Sequence, residues 1–95
     1  MKDYFYLNPS KMMEVSMKLD GAEIKMLFAI MYCLSSTGRQ WFVNNVDNRK
    51  LMAEIEFSKT PERVSGLLGS MTKKGVLKRE TNGVYSLPEG LLIIP

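Results

Sequence analysis

Apolar residues recur at helical spacing through the first half of the chain, at Ile24, Leu27, Phe28, Met31 and Leu34. Met26, Ala29, Ile30 and Cys33 form a second apolar face, so this helix is expected to be buried on nearly all sides. Asp20 and Glu23 stand three apart ahead of it, the spacing of a capping box. Ser35, Ser36, Thr37 and Gly38 end it. Trp41–Val43 is a short β-prone piece. Asp47 is the expected N-cap of a second helix, with Val46 and Leu51 as a hydrophobic staple and Leu51, Met52 and Ile55 facing inward. Thr60-Pro61 opens a third helix, whose buried stripe is Val64, Leu67, Leu68 and Met71. Gly75 ends it just after Lys73-Lys74, where cations suit the negative end of the helix dipole.

Beyond Gly75 the period changes. Val76–Leu87 reads as a hairpin around Asn82-Gly83, a pair suited to a type I′ turn. At the other end, "YFYL" (Tyr4–Leu7) is strand-like and stops at Asn8-Pro9. Met13, Val15, Met17 and Leu19 alternate with Glu14, Ser16 and Lys18, which predicts an extended segment. The expected organisation is one α+β domain. It has an N-terminal extended segment (1–19), a three-helix core (20–75), a two-stranded wing (76–88) and an apolar tail (89–95).

Size and composition add to this. A chain of 95 residues makes one domain. It buries roughly 60–65% of the surface that its unfolded form exposes. The two-faced first helix and the apolar ends "YFYL" and "LLIIP" therefore predict a homodimer. The longest apolar run, Met26–Leu34, is too short to span a bilayer, and the N-terminus has no signal-peptide stretch. With one cysteine, Cys33, no internal disulfide can form, and a cytoplasmic setting is the expectation. There is no histidine, the carboxylates are scattered, and no Gly-rich phosphate loop or calcium loop is present. An enzyme, a metal site and a cofactor are therefore not expected.

Charge is unevenly placed. Residues 1–48 are neutral overall, whereas residues 49–80 hold eight cations against four anions. A local basic excess suits a polyanion, and it also suits an ordinary solvated surface.

The order helix, strand, helix, turn, helix, hairpin is that of a winged helix-turn-helix. The stretch "LMAEIEFSKTPERVSGLLGSMTKKGVLKRETNGVYSL" resembles the core of MarR-like winged-helix DNA-binding proteins. Within it, "SKT…VSGLLGSMTKKGVLKR" resembles their recognition helix and first wing strand; with "GAEIKMLFAIMYCL" before that and "GVYSLPEG" after it, the chain is similar to RepL-type plasmid replication proteins and related phage proteins. The resemblance covers roughly residues 20–88. It implies double-stranded DNA binding, in transcription control or in plasmid or phage replication, often by a homodimer. Phe57 stands where such turns usually carry Gly, and Ser58–Val64 is longer than usual.

Under this reading the third helix enters the major groove and the hairpin lies along the phosphates. The outward stripe of that helix is Glu62, Gly66, Gly69 and Lys73, flanked by Arg63 and Ser70 on one side and Ser65 and Thr72 on the other. Two helix-interior glycines cost about 1 kcal/mol each relative to alanine. Gly66 and Gly69 then allow close approach to the groove, with Arg63, Ser65, Ser70 and Lys73 making contacts. Lys74, Lys78 and Arg79 are phosphate candidates. Arg49 and Lys50 sit where the second helix meets the backbone, and Lys59, Thr60 and Asn82 complete the candidate set. Two other readings stay open. The glycine stripe could receive another protein's helix or strand, making the chain a protein-interaction module, or it could be inconsequential surface.

Overall fold

The computed structural model describes residues 6–55 and 60–93. The chain begins with strand β1 (Tyr6–Leu7) and then forms helices α1 (Pro9–Ser16) and α2 (Gly21–Thr37). Strand β2 (Phe42–Val43), helix α3 (Val46–Glu54) and helix α4 (Pro61–Lys73) follow. The chain closes with β3 (Lys78–Thr81), β4 (Val84–Ser86) and β5 (Leu92–Ile93). Among the described residues the domain is therefore α+β, with four helices, a three-stranded antiparallel sheet in the order β2-β4-β3, and a two-stranded pair β1-β5.

Helix α2 is the axis of the core. Asp20 accepts from the Glu23 N–H at 2.9 Å, and Glu23 accepts from the Asp20 N–H at 2.9 Å, so the capping box is formed. Met26, Leu27, Ala29, Ile30, Met31, Cys33 and Leu34 are all buried. The Gly38 N–H closes the helix on the Leu34 carbonyl at 2.8 Å. Helices α3 and α4 pack on this rod, α3 through Met52 and α4 through Val64, Leu68 and Met71. Phe42, Val76, Leu77 and Leu91 fill the space between the helices and strands. Burial pushes the Cys33 thiol up to about 12, so it stays a neutral core group.

Several expectations change, among them the inward position of Ile55, which is 43% exposed at the end of α3. Residues 9–16 are helical, not extended: the Asn8 side chain accepts from the Lys11 N–H at 3.1 Å, and Pro9 occupies the first turn. The inward positions are Met12, Val15 and Leu19, a helical spacing, whereas Met13 and Met17 are 63% and 81% exposed. The alternation around Val15 therefore hid a 3-4 period.

The N-cap of α3 is Asn45, not Asp47; its side chain accepts from the Asn48 N–H at 2.9 Å. Val46 becomes the first helical residue and is 56% exposed, so it cannot act as the expected staple. The wing has a third strand, because β2 pairs with β4 in the register Phe42–Tyr85 and Val43–Val84. In the described part of the tail, Leu92 and Ile93 pair with Leu7 and Tyr6, and Leu91 is fully buried. Most of α2 is thus buried within one chain, while Phe28 on α2 and Tyr6 on β1 stay 45% and 60% exposed, so the apolar surface that motivated a homodimer is reduced and not removed. Phe57 and Lys59 lie outside the described residues, as do Tyr4, Phe5, Ile94 and Pro95.

Helix α4 starts at Pro61 as expected, but Thr60 makes no side-chain cap to it. Gly75 follows with φ +77°, a left-handed conformation that turns the chain from the helix into β3.

Candidate nucleic-acid interface

The three sides of α4 do different jobs. Val64, Leu68 and Met71 face the core, while Glu62, Gly66, Gly69 and Lys73 are exposed on the opposite side. Arg63 and Ser65 are exposed as well. Apart from the adjacent residues and the helix's own backbone, no atom lies within 4 Å of where a Cβ would stand at Gly66 or Gly69. The outward stripe is therefore open and nearly flat, bounded by Glu62 and Lys73 at its ends.

Ser70 and Lys74 have internal partners. The Ser70 hydroxyl donates to Glu23 Oε2, and the Lys74 ammonium donates to Glu23 Oε1. Glu23 is only 1% exposed, so its charge needs these donors. Burial alone would raise its pKa. Hydrogen bonds from Lys74, Ser70 and the Asp20 backbone outweigh that, and with the Lys74 charge they hold the carboxyl down to about 2. As DNA contacts, these two residues are accordingly weaker candidates than their sequence positions implied. They mark the side of α4 that leans on α2.

The opposite flank meets the sheet. The Asn44 N–H donates to the Gly83 carbonyl at 2.8 Å, and the Asn44 side chain donates to the Ser65 hydroxyl at 3.4 Å. The hairpin thus leaves the C-terminal end of α4 at Gly75 and brings its turn back beside Ser65.

Within the hairpin, Arg79 stands opposite Tyr85 and Thr81 opposite Val84, which leaves Glu80 as a bulge. Gly83 takes φ +77° in the two-residue turn. Every residue of β3 is exposed. Arg79 Nη2 donates to Asn82 Oδ1 at 2.7 Å, so Asn82 orients the guanidinium. Lys78 lies 3.9 Å from Glu80, which also accepts from Ser86 at 3.0 Å. Both partners of that ion pair are exposed, so it is worth little and leaves Lys78 available.

At the start of α3, Lys50 is exposed and Arg49 half-buried, with Arg49 Nη1 donating to Asn44 Oδ1 at 2.8 Å. Asn44 was not among the candidates. One asparagine in "VNNVDN" looks like the next in sequence, and its role depends on two elements that are distant along the chain. Arg49, Ser65 and the Asn82-Gly83 turn are brought together through Asn44. Gly66, Gly69 and Lys73 lie on the open stripe of α4 with Arg63 beside it, and Lys78 and Arg79 are exposed on β3. Among the described residues no helix is long and apolar enough to cross a membrane. The chain matches no known family model, no curated protein and no solved structure.

Proposed function

We propose that the protein is a winged-helix domain that binds double-stranded DNA, serving transcription control or plasmid or phage replication. Helix α4 would enter the major groove, and the β3-β4 hairpin would follow the adjacent phosphates. The observation that carries this reading is the junction at Asn44, which joins the hairpin turn at Gly83 to Ser65 of α4. A basic strand and an open, Gly-bearing helix face then meet the same duplex.

The test is binding to random-sequence duplex at two salt concentrations. Non-specific affinity is expected at about 10⁻⁴–10⁻⁶ M and to weaken steeply with salt. No binding at low salt, or binding indifferent to salt, would sink the proposal and favour a protein-interaction module. Replacing Lys78 and Arg79 together with Ala should weaken binding to every sequence alike and flatten the salt slope by about two phosphates' worth. Altered sequence preference at constant slope would assign them to base reading.

Gly66 and Gly69 give a separate prediction. Their added methyls meet nothing in the free protein, so Gly66→Ala with Gly69→Ala should stabilise it by about 0.5–1 kcal/mol per site. The same methyls should weaken duplex binding by obstructing the backbone's approach to the groove. A higher melting temperature with unchanged DNA affinity would show that the stripe does not approach DNA.

A further inference from the structure

The segment Val43–Asn48 contains three asparagines, and the fold assigns them different tasks. Asn45 caps α3 through the Asn48 N–H. Asn48 is buried, and its side chain donates to the Val43 carbonyl at 2.7 Å while its own carbonyl accepts from the Cys33 thiol at 3.6 Å. These bonds hold the corner between β2 and α3, and the backbone pairing of Val43 with Val84 anchors it to the sheet. Asn44 stands on this rigid corner and reaches the other way.

Its bonds reach three other parts of the chain. The backbone N–H holds the hairpin turn at Gly83, Oδ1 takes a hydrogen from Arg49 on α3, and Nδ2 gives one to Ser65 on α4. The amide suits this position chemically. A guanidinium can only donate, so it needs the carbonyl oxygen, and the amide nitrogen is then left for a hydroxyl, which can accept. An aliphatic residue could serve neither neighbour. Arg49 is oriented from one side by Asn44 and keeps further N–H donors for an outside acceptor.

We infer that Asn44 is the positioning residue of the DNA-binding face: it fixes the Arg49 guanidinium and latches the hairpin corner to α4, so that both present a preorganised surface to one duplex. This rests on the DNA-binding reading. Preorganisation lowers the ordering cost of association and adds no contact. Loss of Asn44 should therefore change affinity without changing the number of phosphates neutralised.

The experiment measures affinity for random duplex across a salt series for wild type, Asn44→Ala, Arg49→Ala and the double variant, with melting curves for each. Asn44→Ala keeps the backbone bond to Gly83 and should melt within a few degrees of wild type. Its binding should be about threefold to tenfold weaker, the worth of one typical hydrogen bond, at an unchanged salt slope. Arg49→Ala should flatten the slope by about one phosphate. In the Arg49→Ala background, Asn44→Ala should lose less than it does in the wild-type background, because only the latch to Ser65 is left to break. Ser65→Ala breaks the latch from the α4 side and should weaken binding in the same direction at constant slope.

Wild-type affinity retained by Asn44→Ala would overturn the positioning role and leave the DNA-binding reading standing. A full additional loss in the Arg49→Ala background, or a flattened slope for Asn44→Ala itself, would overturn it by making Asn44 a direct contact. A collapse of the melting temperature would make Asn44 a folding residue and overturn it as well. If wild type binds no duplex at low salt, the reading and this inference fall together.

Discussion

Glu23→Ala should lower the stability of the domain by about 3 kcal/mol at neutral pH, a large share of the 5–15 kcal/mol typical of a small domain. The substitution removes the capping-box acceptor of the Asp20 N–H and the buried partner of Ser70 and Lys74. Lys74 limits the cost, because its side chain is 39% exposed and can return to water. For a domain of this size, the melting temperature should fall by roughly 12–20 °C.

The effect should depend on pH in one direction. The Glu23 carboxyl is held at about 2 in the folded chain, below its ordinary 4.5. A depressed carboxyl stabilises fully above its unfolded pKa and loses that contribution as pH falls through the folded value. The gap between wild type and Glu23→Ala should thus be widest above pH 5 and close between about pH 4.5 and 2. Calorimetry of both proteins at pH 7, 4 and 2.5 would check this; a gap that stays constant over that range would refute the ion pair's role. The contact also ties the end of α4 to α2 close to where β3 begins, so loosening it should unsettle the base of the hairpin.

Phe42→Ala should be of similar or greater size. The ring is 1% exposed, stands opposite Tyr85, and belongs to a strand of only two residues. Truncating a buried phenylalanine costs about 3–5 kcal/mol through lost transfer energy and the cavity left behind. So short a strand holds its place mainly by side-chain packing, so β2 should detach from β4 and carry Asn44 with it. Urea unfolding should show the lowered midpoint. Hydrogen exchange should show β4 amides opening at lower free energy than the amides of α2. A cost below about 1 kcal/mol, or unchanged β4 protection, would mean that the sheet does not depend on Phe42. Phe42→Leu, which keeps most of the volume, should lose less.

The elements readable in advance were those set by neighbours within four residues. Asp20 and Glu23 form their capping box because each needs only the other's backbone. Pro61 starts α4 because its ring forbids little there and its missing N–H has no helical partner to lose. The stripe Val64, Leu68 and Met71 faces inward because a period of 3.6 leaves it no alternative once one side is buried. Gly83 turns the hairpin through a φ that side chains disfavour. The candidate interface was legible in part for the same reason: the exposed positions of α4 and the cations of β3 follow from these local periods.

Contacts between elements distant along the chain were not legible. The amino-acid sequence by itself determined helix α2 with its capping box, helix α4 with its inward stripe, and the hairpin, because each is specified by short-range backbone geometry and burial; the cap of α3 and the exposure of Phe28 and Ile55 were not among them. Only the tertiary structure decided that Glu23 uses its second oxygen on Ser70 and that Lys74 turns inward to meet it. It alone brought β2 to β4, β1 to β5 and Asn44 between Arg49, Ser65 and the hairpin turn. A carboxylate or an amide carries the same hydrogen-bonding groups at every position. Which partner it takes depends on where packing leaves it once the apolar residues are buried.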